Sequence, residues 1–148
     1  MSFELDYDNL ILLDAEDLAE GGIGKAYEEL LPELRKYVPQ PAKIEELLDN
    51  ETPRYSVKCG PIEFVVYAPE LEGELGNLWG RATYAFFRIV NDQLTNSPYR
   101  LYAINGGNDL AGMFLTPDQA QESRLSLPKK SDLPYLPTND PDGYGMYY

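Results

Sequence analysis

LGNLWGRATYAFFRIVNDQLTNSPYRLYAINGGNDLAGMFL, residues 75–115, is the stretch whose reading decides the fold. Its first half places Leu75, Leu78, Trp79, Ala82, Ala85, Phe86, Ile89, Val90 and Leu94 at intervals of three and four. That is the period of a helix with one buried face. A polar connection at Asn96-Ser97-Pro98 follows, then an apolar run to Ile104, a turn at Asn105-Gly106-Gly107-Asn108 and a second apolar run to Leu115. Asn and Gly accept the positive φ angles that tight hairpins require. The stretch therefore reads as a long helix laid on a hairpin with strands at 99–104 and 110–115, the nucleus of an α+β core.

On the C-terminal side, Thr116-Pro117-Asp118-Gln119 announces a helix to about Leu125 or Leu127: a threonine cap, proline first and glutamine at the third position. Residues from Pro128 onward show no period; Leu133, Tyr135 and Leu136 are the candidates for anchoring them, and 139–148 reads as a flexible tail.

On the N-terminal side, residues 54–67 change period from helical to alternating. Tyr55, Val57 and Cys59 alternate with Ser56 and Lys58, and Ile62, Phe64 and Val66 with Glu63 and Val65. Gly60-Pro61 interrupts them, giving a hairpin or one bulged strand. Further back, residues 42–48 read as a short helix opened by Pro41. Ile23, Tyr27, Leu30, Leu31, Leu34 and Val38 form a helical stripe, with Pro32 implying a kink or two short helices. Residues 9–13 fit a buried strand or a helical turn equally, with Asp14 placed to cap a helix over 15–19. The expected fold is a single α+β domain over 1–138. It has an antiparallel sheet of about four strands from two hairpins, packed on the long helix, with a helical N-terminal region.

Composition bounds the chemistry. The chain of 148 residues has a formal net charge of −13 and no histidine. Phosphate backbones and anionic membranes repel such a surface, so neither nucleic acid nor membrane is an expected partner. A protein with a basic surface is the electrostatic complement, and solubility alone is the competing explanation of the acidity. Without histidine there is no Ser-His-acid or Cys-His nucleophile and no histidine-ligated zinc. Cys59 stands alone, so a disulfide framework is excluded and a small apolar role fits it. No apolar run approaches the length of a membrane span, and the acidic N-terminus lacks the features of a signal peptide, which makes the cytoplasm the expected location.

Gly21-Gly22-Ile23-Gly24-Lys25 shares glycines and a lysine with phosphate-binding loops. The full pattern needs glycine where Ala19 stands and Ser or Thr where Ala26 stands, so it fails twice and reads as a flexible joint. Paired acids such as Asp140 and Asp142 lack the other ligands of a calcium loop. No catalytic residue, metal or cofactor is assigned.

The leading expectation is a small acidic, non-catalytic protein that binds another protein through carboxylates and tyrosines. Glu70, Glu72, Glu74, Tyr99, Asn105, Asn108 and Asp109 are the partner-binding candidates. In overall character alone, without any shared motif, such a chain is similar to immunity proteins that neutralise a basic toxin. The alternative is a small-molecule-binding or hydrolytic domain that uses the groove between the long helix and the sheet. Arg81, Arg88 or Arg100 would then meet an anionic ligand.

Overall fold

The computed structural model describes residues 10–49, 51, 54–68, 78–105, 107–126 and 134–137. Its strands are β1 (Ile11–Leu12), β2 (Ile44–Asp49), β3 (Arg54–Cys59), β4 (Ile62–Tyr67), β5 (Arg100–Ile104) and β6 (Ala111–Leu115). A short turn of helix, α1 (Ala15–Asp17), runs through a π turn (Leu18–Gly22) into α2 (Ile23–Leu34). The other helices are α3 (Leu78–Asp92) and α4 (Pro117–Ser126).

The strands form two separate three-stranded antiparallel sheets, ordered β1-β6-β5 and β2-β3-β4. This corrects the expectation of one four-stranded sheet on a single long helix. Three helices of ten residues or more (α2, α3 and α4) share the packing. The local pattern found both hairpins, but it carries no information on whether they join one sheet or two.

A second correction concerns residues 42–48. The segment read there as helix contains β2, paired with β3 over its full length from Ile44↔Cys59 to Asp49↔Arg54. Glu45-Glu46-Leu47-Leu48 has good helix propensity, and the neighbouring strand overrides it. The register sets Glu45 opposite Lys58 and Asp49 opposite Arg54, opposite-charge pairs that favour the ladder.

Elsewhere local chemistry explains the elements directly. Gly60 closes the β3–β4 hairpin at φ 61°, and the register shifts beside Tyr55, leaving Val66 as the extra residue of a bulge. Helix α2 stays continuous through Pro32, which lies exposed near its end, and buries Ile23, Tyr27, Leu30 and Leu34 along one stripe. Thr116 Oγ1 accepts from the Gln119 N–H at 3.2 Å, and Gln119 Oε1 accepts from the Thr116 N–H at 3.0 Å, a reciprocal cap for α4.

Helix α3 lies between the two sheets, touching β4 of one and β5 of the other. Ala82, Ala85, Phe86, Phe87, Ile89 and Val90 are all buried, and Arg88 and Asp92 remain on the exposed side. Asn91 fixes it to β5, donating to the Leu101 carbonyl at 3.0 Å and accepting from the Leu101 N–H at 2.7 Å. The β1-β6-β5 sheet is covered on both faces. Leu101 and Ala103 join the main core, and Tyr102, Ile104, Met113 and Leu115 form a smaller one with Ala120 of α4. Tyr135 adds a bridge to the outer side of β5 by exchanging two backbone hydrogen bonds with Ala103, at 2.7 and 3.0 Å. Among the described residues no helix is long and apolar enough to cross a membrane.

Candidate functional site

The glycine-rich joint is the pivot of a groove lined mainly by acidic residues. Asp14 starts it, accepting from the Glu16 N–H at 2.9 Å and so capping α1. The chain then swings through the π turn, where Gly21 adopts φ 92°, a left-handed angle that L side chains rarely take. Gly22 follows with no room for a side chain, since a Cβ there would lie 2.4 Å from the Asp17 carbonyl oxygen. The outcome is an open groove of about 560 Å³ between residues 12–22 and the first two turns of α2. Asp14, Asp17, Glu20 and Glu29 line it against a single cation, Lys25. At its rim, on an edge strand of two residues, Leu12 is 80% exposed.

The Asn105–Asp109 turn meets this groove. Asn108 Nδ2 donates to both carboxylate oxygens of Asp14, at 3.0 and 3.3 Å, and Asp109 is exposed beside it. Asn105 takes φ 61°, the hairpin angle, and its carbonyl accepts from the Tyr135 hydroxyl at 2.5 Å. Two partner-binding candidates, Asn108 and Asp109, therefore stand beside Asp14, the carboxylate that caps α1. Tyr99 lies apart, half-buried, its ring 4.7 Å from Tyr37, which in turn stacks 4.6 Å from Phe114. Glu70, Glu72, Glu74 and the 139–148 segment lie outside the described residues.

On the other side of α2, its N-terminus is satisfied by a different device. Gly22 offers no side-chain cap, and the Tyr55 hydroxyl of β3 accepts from the Ile23 N–H at 3.2 Å. The same hydroxyl donates to Glu46 Oε2 of β2 at 2.5 Å. Tyr55 is fully buried, and burial with the neighbouring Glu46 carboxylate pushes its hydroxyl pKa well above the usual tyrosine value. Gly24 permits the approach: a Cβ there would lie 2.0 Å from Glu46 Oε1. A carboxylate beside the first turn of a helix is favoured by its dipole. The phosphate-loop likeness is thus filled from within by the chain's own glutamate.

The three arginines go to separate places. Arg100 Nη1 donates to the carbonyls of Leu94, Ser97 and Tyr99, closing the turn after α3. Arg88 pairs with Asp92 at 2.9 Å and donates to the Tyr84 hydroxyl at 2.8 Å, and both contacts raise its pKa. Arg81 donates to the Val65 carbonyl at 3.1 Å beside a depression of about 160 Å³. They do not converge on one cavity. Cys59 is half-buried, and burial pushes its thiol pKa up, which disfavours the reactive thiolate. Among the described residues no three His, Cys, Asp or Glu side chains gather to hold a metal ion. Comparison with protein-family models, with curated proteins and with solved structures gives no match to this chain.

Proposed function

We propose that this protein is a non-catalytic binding module that receives a basic segment of another protein in the groove between residues 12–22 and α2, as an immunity protein neutralises a cationic partner. The observation that carries the reading is the lining of that groove, with four carboxylates, one lysine and an exposed leucine on its rim. Carboxylates around an apolar anchor suit an interface that steers with charge and holds with buried area. The Asn108–Asp109 turn extends the same surface, and the net charge of −13 supplies the long-range field. The small-molecule reading has less support, because each of its three arginines is already engaged with protein groups. Cytoplasmic location belongs to the proposal as well.

The test is affinity capture from the native cell by the full chain, run beside the Asp17→Lys/Glu20→Lys variant. A protein with a basic surface is retained by the wild type and lost by the variant. Its association with the purified wild type slows at least about tenfold as the screening length contracts from roughly 10 Å at 0.1 M salt to 3 Å at 1 M. Equal capture by both proteins, or an association rate indifferent to salt, would sink the proposal.

A further inference from the structure

We propose a second docking site, independent of the acidic groove: the outer edge of β2, which takes an extended segment of alternating apolar and basic residues as a fourth strand of the β2-β3-β4 sheet. Among the described residues β2 pairs with β3 alone, so every second residue turns its N–H and C=O away from the sheet. Five of its six residues are exposed, with Leu48 at 54%. The opposite edge of the same sheet is treated differently, since Arg81 donates to the Val65 carbonyl of β4. β2 carries neither proline nor lysine, and its protection as an edge is negative charge alone, from Glu45, Glu46 and Asp49, which a basic strand neutralises.

Beside this edge runs a groove of about 390 Å³ in which Tyr27 and Leu31 of α2 and Ile44 of β2 supply apolar surface among the charged Glu28, Arg35, Lys43 and Glu46. Side chains on one face of an added strand fall into that groove, and apolar ones fit it. The other face of β2 presents Glu45 and Asp49, because alternate residues share a face and both sit opposite basic residues of β3. Lysine or arginine at the alternate positions of the incoming strand complements them. A second copy of this chain is the poorer occupant: pairing β2 with itself doubles the carboxylates along the seam.

The probe is a fluorescein-labelled decapeptide of alternating valine and lysine, titrated into the full ¹⁵N-labelled chain and followed by anisotropy and amide shifts. Saturable binding is expected, with the largest shifts over 44–49 and the facing side of α2. Replacing one central valine of the peptide by proline removes a ladder donor and weakens binding about tenfold, as does Glu45→Lys/Asp49→Lys in the protein. The Asp17→Lys/Glu20→Lys variant retains the binding within about twofold, being off this site. Equal affinity for the proline peptide overturns the proposal, since that is charge condensation without strand pairing. Shifts confined to residues 12–29 overturn it too, while leaving the first groove standing. Dimerisation of the free protein through β2 overturns it in favour of self-pairing.

Discussion

Replacing Tyr55 by phenylalanine tests how the start of α2 is held. The ring stays and the hydroxyl goes, so packing is preserved and the polar bridge between the Ile23 N–H and Glu46 is removed. Glu46 belongs to an exposed residue, and its carboxylate recovers water at small cost. The Ile23 N–H recovers no water, because Ile23 is fully buried, and its cap residue Gly22 offers no side chain in place of the hydroxyl. A buried donor without an acceptor costs about 1–3 kcal/mol. We expect Tyr55→Phe to lower the unfolding free energy by about 2 kcal/mol, which for a chain of this size is about 4–8 °C in Tm. Urea unfolding followed by circular dichroism reads the change, and a loss under about 0.5 kcal/mol refutes the reasoning. The same variant carries a pH signature. In the folded protein the Tyr55 pKa is raised, whereas an unfolded tyrosine ionises near the ordinary value of 10.0. Its contribution is thus whole below pH 10 and erodes as pH rises above that, by about 1.4 kcal/mol per pH unit. Tyr27 and Tyr37, also raised by burial, are common to both proteins and cancel in the difference. The gap between wild type and variant should narrow above pH 10; a gap constant from about pH 9 to 11 contradicts the assignment.

Gly22→Ala should destabilise by more than about 2 kcal/mol, because its Cβ meets the backbone oxygen of Asp17, whereas Gly21→Ala, with open space but φ 92°, costs about 1–2 kcal/mol. Thermal melts that rank the two in the opposite order reject the steric account. Gln93 accepts from the Ala42 N–H at 2.8 Å and donates to the Tyr27 hydroxyl at 3.0 Å, tying α3 to α2 and to the segment entering β2. Gln93→Leu should cost about 1–2 kcal/mol and speed hydrogen exchange at Ala42 more than at Leu101, and uniform acceleration would show that no local tie was cut. Thr116→Ala removes half of the α4 cap and should cost about 1 kcal/mol, read as a shift in urea midpoint at unchanged slope.

Those elements were legible in the sequence in unequal measure, for reasons that the structure makes physical. Tyr55, Val57 and Cys59 alternate because β3 buries one face in the core, so the hairpin was readable from period alone. The α4 cap was readable because its whole mechanism spans four residues. β2 was not: an edge strand with five exposed residues has no buried face to print an alternation, and Glu-Glu-Leu-Leu then looks helical. The division into two sheets was invisible because the edges of the second hairpin are met by distant segments, β6 by Ile11 and Leu12 and β5 by Tyr135, pairings that no local pattern encodes. At the candidate site, the Asn and Gly content of residues 105–109 marks a turn and Asp14 reads as a helix cap, but their contact joins residues 94 apart and leaves no trace in local sequence. Gly24 looked like a joint in the sequence, and only its distance to Glu46 gives the reason for a glycine.

The two sheets impose different timetables on a chain emerging from the ribosome. Strands β2, β3 and β4 are consecutive, so their meander can close once Tyr67 has been made. Ile11 must wait for Gly112, and the Ala103 bridge for Tyr135. Contacts of such long sequence separation are slow to form, so the first strand to be synthesised is among the last to be paired. Through that delay the excess of carboxylates over basic residues in the amino-terminal third works against association of the unpaired segment with other chains.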